Sequence, residues 1–186
     1  MKNKFFVYAM VLPAVIFAGC AGPYTPAPQI LPQHVRKIFV KPFVNSTIQY
    51  GLEDKLTLAV TNGLINEGRF TVVNNEADAD GMLVGEISKY VLQPLTYDAN
   101  MVTLQYKLWI LVNIYFVDRV KNVTLWSEPN MQGTLTYYDL TQPGGVSEEQ
   151  ARETIWNNMS ADIVNRTVNG FGAVTGISEK KVPGNQ

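Results

Sequence analysis

From residue 101 to 117 every even position is apolar or aromatic: Val102, Leu104, Tyr106, Leu108, Ile110, Val112, Ile114 and Phe116. A period of two sustained this long specifies a β-strand with one continuously buried face. The odd positions mix Thr103, Gln105, Lys107 and Asn113 with Trp109, Leu111, Tyr115 and Val117, so the second face changes from polar to apolar along its length. A membrane helix does not fit the run LWILVNIYFV, which falls short of the roughly 20 residues a span requires. Asn113 interrupts it, and Lys107 and Asp118 flank it closely. Residues 123–138 read as the returning strand of an antiparallel hairpin. The turn Arg119-Val120-Lys121-Asn122 contains no glycine, so Asn122 is expected to take its left-handed position.

The remaining elements follow from shorter patterns. Residues 35–43 (VRKIFVKPF) alternate around Ile38 and Val40 and end at a proline, a strand signature. Leu52, Leu56, Ala59, Val60 and Leu64 recur at three- and four-residue steps, predicting an amphipathic helix over 52–67 with Gly68 as its stop. Residues 70–73 form a short β-branched strand, residues 74–80 a polar turn, and residues 82–92 a further strand with poor alternation. After the loop TQPGG, Ser147 and Gln150 have capping-box spacing. The helix they open carries Ala151, Ile155, Met159 and Ile163, and is expected to close near Gly170-Phe171-Gly172. The order β-α-β-β-β-β-α predicts an α+β fold, two helices packed on one face of a largely antiparallel sheet.

The N-terminus has a different character. Lys2 and Lys4 precede an uncharged run over 5–17 and the small residues Ala18 and Gly19, the layout of a secretory signal. Its apolar run is too short to span a bilayer. The only cysteine of the chain, Cys20, closes the stretch Phe17-Ala18-Gly19-Cys20. That stretch resembles the lipobox of bacterial lipoproteins, with Phe17 where leucine is usual. The resemblance implies cleavage before Cys20 and acylation of its thiol, and two or three acyl chains on one residue anchor firmly. Ala21 in place of aspartate implies sorting to the outer membrane. The segment GPYTPAPQILPQ, residues 22–33, carries four prolines and no charge, the composition of a semi-rigid tether reaching about 40 Å at most. Four parts are therefore expected: signal peptide 1–19, lipidated cysteine and tether 20–34, α+β domain 35–172, and a flexible C-terminal tail 173–186.

Several chemistries lack their residues. Without Lys2 and Lys4 the chain holds 13 basic and 16 acidic side chains, a balance unsuited to nucleic acid. With one histidine, His34, a histidine-pair metal motif is not available, and no serine sits in a G-x-S-x-G elbow. No phosphate-binding glycine loop is present. Glu76, Asp78 and Asp80 lie together but lack the spaced oxygens, glycine and distal glutamate of a calcium loop, so a solvated turn is the better reading. No catalytic residue, metal or cofactor is assigned, and the chain reads as a non-enzyme.

Taken in order, the stretches VRKIFVKPFVNST and GLEDKLTLAVTNGLINEGRFTVVNNEADADGMLVGEISKY are similar to the LptE family of lipopolysaccharide-assembly lipoproteins. The likeness rests on Pro42-Phe43, Asn45, Thr47, Gly51-Leu52-Glu53, Gly68-Arg69-Phe70 and Ala79-Asp80. Tyr106, Val117-Asp118, Leu125-Trp126 and Gly170-Phe171 continue it. The resemblance implies an outer-membrane lipoprotein that sits as a plug inside a large β-barrel partner of the LptD type and helps place lipopolysaccharide in the outer leaflet. It implies barrel-contacting aromatics on the long hairpin, for which Tyr106, Trp109, Tyr115 and Trp126 are the candidates, and lipopolysaccharide as a further ligand. The loops 93–101 and 139–146 contain no Lys or Arg, so basic contacts to phosphorylated lipid A have no counterpart there. The first half also resembles curli-secretion pore subunits and lipoprotein activators of penicillin-binding proteins. A pore subunit needs more amphipathic hairpins than this chain supplies.

Overall fold

The computed structural model describes residues 31–169. Its elements are β1 (Lys37–Val40), β2 (Val44–Asn45), α1 (Leu52–Glu67), β3 (Thr71–Val72), a 3₁₀ turn (Glu76–Asp78), β4 (Gly81–Tyr97), β5 (Thr103–Asp118), β6 (Val123–Tyr138) and α2 (Glu148–Asn169). The sheet runs β3-β1-β4-β5-β6, with β2 also pairing on β4. Strands β4, β5 and β6 are antiparallel, whereas β1 is parallel to both β3 and β4, and β2 is parallel to β4. The fold is therefore α+β, with a long antiparallel hairpin region and a short parallel corner.

The even face of β5 carries the core. Leu108, Ile110, Val112, Ile114 and Phe116 are fully buried against the helices. Helix α1 contributes Leu52, Leu56, Val60 and Leu64, the one-stripe burial its period requires. Gly68 ends it in the left-handed conformation (φ 78°), its N–H returning to the Leu64 carbonyl. At α2 the capping box forms: the Ser147 N–H donates to Gln150 Oε1 (2.9 Å), and the Gln150 N–H donates to Ser147 Oγ (3.1 Å). Gly133 on β6 lets α2 approach the sheet, since a Cβ there would lie 2.4 Å from Ile155 Cγ2.

Some boundaries differ from the sequence reading. The first strand shrinks to Lys37–Val40, and a separate pairing appears at Val44–Asn45. Strand β4 does not stop at residue 92 but continues through Pro94 to Tyr97, so most of the supposed loop 93–101 is strand. Beyond Ile87 neither β1 nor β2 pairs with β4. It is an edge there, where a residue lacking an N–H is tolerated. Asn122 adopts the left-handed conformation (φ 54°). Helix α2 runs to Asn169; Gly170-Phe171-Gly172, like Cys20 and the tether, lies outside the described residues.

The domain has two unlike ends. Residues 31–36 join it beside the β5–β6 turn, where His34 meets Asp118. On the order of 50 Å away, at the far end of β4, Leu95, Tyr97, Met101, Val102, Tyr138 and Leu140 are all exposed.

Candidate interaction surfaces

Strand β5 sends Trp109 and Tyr115 to the face away from the helices, together with Lys107, whose Nζ lies 4.7 Å from the Trp109 ring centroid. Across the ladder Trp109 stands opposite Val91 and Thr134, and Tyr115 opposite Val84 and Ser127. These neighbours leave both aromatics half-buried. Tyr106 points to the other face, where it stacks on Tyr137 at 5.8 Å and packs, partly buried, against the core. The fourth candidate, Trp126, lies in the core: it is 4% exposed and packs against Phe116 at 6.5 Å. A register irregularity between the Phe116 and Val117 pairings sets its orientation, since a bulge resets which residues of β6 face inward. Trp126 therefore supports the hairpin from inside and offers no surface. The indole N–H groups of Trp109 and Trp126 are enclosed and find no acceptor among the described residues.

A second surface went unnoticed in the sequence because it lies where no periodicity exists. Between β2 and α1 the chain makes a tight loop organised by Asn45. The Asn45 amide donates to the Gln49 carbonyl (2.6 Å) and to Glu53 Oε2 (2.8 Å), while its Oδ1 accepts the Thr47 N–H (3.0 Å) and hydroxyl (2.8 Å). Through Asn45 those bonds tie Thr47 and the loop to Glu53 in the first turn of α1. The loop they fix holds Ile48 at 95% and Tyr50 at 92% exposure. Tyr50 borders a cleft between the N-terminal halves of the two helices, lined also by Lys55, Glu149, Arg152, Glu153 and Trp156. Farther along α1, Leu58 and Ile65 are exposed on its outer side.

The charged side chains are mostly spent on architecture. Asp80 accepts the Arg36 and Lys37 N–H groups, and those two bonds, Lys37 first, hold its carboxyl below the usual range. Glu76 pairs with Arg119 at 3.6 Å, and Arg166 with Glu128 at 2.7 Å. Glu148 accepts the Tyr90 hydroxyl and pairs with Arg152, fastening the start of α2 to β4. Burial first, and the Glu148 contact second, push the Tyr90 phenol far above its ordinary value. Tyr137 is pushed up to about 12, again by burial with the Glu148 charge next. Among the described residues no three metal-ligating side chains converge, and no helix is long and apolar enough to cross a membrane.

The described residues thus form a two-layer α+β domain with apolar side chains displayed on a fixed loop. The chain belongs to the LptE family: the family model described as lipopolysaccharide-assembly matches residues 35–169. This is a family of outer-membrane lipoproteins. No curated protein matches the chain by sequence. Among solved structures it is similar to a PelC dodecamer subunit from Paraburkholderia phytofirmans, at 15% identity and TM-score 0.47 over 79% of this chain and 96% of that one. It is also similar to the rare lipoprotein B from Shewanella oneidensis (15% identity, TM-score 0.44, 72% and 91% covered). A lipoprotein B from Nitrosomonas europaea gives 15% identity and TM-score 0.42, with 82% and 92% covered.

Proposed function

We propose that this chain is the plug of a large outer-membrane β-barrel of the LptD type that inserts lipopolysaccharide into the outer leaflet. The carrying observation is the family match, which spans nearly all of the described domain. In this reading the chain acts without catalysis. Trp109, Tyr115 and Tyr106 meet the barrel from the hairpin, and Trp126 braces them from the core. Lipopolysaccharide is a second ligand reached without basic side chains on loops 93–101 and 139–146. Acylation of Cys20 holds the domain at the periplasmic side of the outer membrane.

The test is an affinity pull-down of the tagged, lipidated chain from detergent-solubilised outer membranes, followed by mass spectrometry. A near-stoichiometric barrel of the lipopolysaccharide translocon is the expected result. A peptidoglycan synthase or a ring of the chain itself in its place overturns the reading. For the anchor, Cys20→Ala is expected to abolish labelling by an alkynyl fatty acid; labelling that persists refutes acylation at this residue.

A further inference from the structure

The charge of the described domain is divided unevenly between its layers. The sheet and its loops carry eight basic and eight acidic side chains, which cancel. Helix α1 holds Glu53, Asp54 and Glu67 against Lys55, and α2 holds Glu148, Glu149, Glu153 and Asp162 against Arg152 and Arg166. The entire net charge of the domain, −4, therefore resides on the helices. Arg166 is engaged by Glu128, and Arg152 is half-buried beside Glu148. Lys55 is the one exposed base of the two helices, against the exposed acids Asp54, Glu67, Glu149, Glu153 and Asp162.

Tyr50 stands at the cleft between the helices, and Ile48 is exposed two residues earlier in the same loop. A large apolar side chain left almost wholly in water gains free energy when it is buried. Here the loop is fixed by the Asn45 bonds in the conformation that displays both. Rigid, pre-ordered apolar side chains are what anchors a protein contact, because little entropy is lost on binding. The charge selects among occupants. An anionic lipid surface and a second copy of this acidic face are both repelled, whereas a protein surface with Lys or Arg around an apolar hollow is attracted.

We propose that Ile48 and Tyr50, beside a cleft lined by Glu149 and Glu153 as well as Lys55 and Arg152, dock the helix layer, with its net negative charge, onto a basic, apolar-pitted part of the inner wall of the barrel partner. This rests on the plug reading and adds the face, the anchors and the chemistry of the opposing wall. The helix side is then a principal contact, alongside the aromatic side of the sheet.

The experiment uses the full lipidated chain in outer membranes containing the barrel, with Tyr50 replaced by a photo-crosslinking aromatic and, separately, the double variant I48S/Y50S. Both side chains are over 90% exposed, so folding is expected to survive, and a thermal melt verifies it. The expected results are a Tyr50 adduct with the barrel wall, at least a tenfold loss of co-purified barrel in I48S/Y50S, and weaker retention as salt rises or when Glu149 and Glu153 become lysine. If the wild-type chain retains the barrel and both I48S/Y50S and E149K/E153K retain it equally, this docking face is wrong while the plug reading stands. If the wild-type chain retains no barrel, the plug reading falls and this inference with it.

Discussion

The imidazole Nε2 of His34 lies 2.8 Å from Oδ2 of Asp118, and the Asp118 side chain is wholly enclosed. The other carboxylate oxygen accepts the Val120 (2.9 Å) and Lys121 (3.0 Å) N–H groups of the β5–β6 turn. One buried carboxylate thus ties the entry of the chain to the tip of the hairpin. His34→Ala is expected to lower stability by about 1–3 kcal/mol, the cost of leaving a buried acceptor without its partner. Asp118→Ala should cost more, because the turn loses its acceptor as well. Urea midpoints of the two variants decide it, and a His34→Ala midpoint equal to wild type refutes the clasp.

Gly133 tests the packing of α2 on the sheet. Its added methyl would meet Ile155 Cγ2 at 2.4 Å and Met159 Sδ at 2.5 Å. Gly133→Ala is expected to destabilise by about 1–3 kcal/mol, the usual range for overpacking. Restoration by a second change, Met159→Ala, would assign the loss to this contact. A neutral Gly133→Ala in chemical denaturation would mean that the helix rides higher than described.

Asn45→Ala removes the donor to Gln49 and Glu53 and the acceptor of Thr47. Residues 46–50 should then exchange amide hydrogens faster, with a loss of about 1–2 kcal/mol for the partners left unpaired. Unchanged exchange there would show that the loop is held by something other than Asn45.

Tyr90 and Tyr137 give a pH dependence at the alkaline end. Both phenols are raised above the ordinary value of 10, Tyr137 to about 12, because burial disfavours the phenolate and Glu148 adds to the effect. Below pH 10 they are neutral in the folded and unfolded chains alike, so no difference arises. Above pH 10 the unfolded chain ionises first, and folding stability falls as pH rises through the folded value. Thermal melts from pH 9 to 12 should show this decline, reduced in Tyr137→Phe. A variant with an unaltered alkaline slope refutes the contribution of Tyr137.

The long hairpin was legible because a period of two over residues 101–117 leaves a strand no alternative, and Ser147 with Gln150 announced the α2 start by local chemistry alone. The parallel corner was not legible. Strand β1 lies between β3 and β4, and β2 rests on Glu86 and Ile87, pairings made by backbone groups distant in sequence. The strand expected over 82–92 runs on to Tyr97, through Pro94, which is tolerated because β4 has become an edge there. Among the aromatic candidates the strand period gave no face for Trp126, since the bulge near Phe116 shifts the parity of β6. Ile48 and Tyr50 had no signal beyond the unusual pairing of apolar side chains with a polar turn. What fixes them there is an asparagine network visible only in three dimensions.

The entry point of the chain also governs how the domain bears mechanical load. Strand β1 begins just past His34 and runs away from that end, hydrogen-bonded on both sides to parallel neighbours. Tension applied upstream of Leu31 pulls along the strand axis, so the β1 bonds and the backbone bonds to Asp80 are strained together in shear, with no single bond peeled open first. Such a geometry resists forced extraction through a slow unfolding rate more than through equilibrium stability. A pull on the N-terminal side of the domain thus meets two parallel ladders and the Asp80 bonds at once.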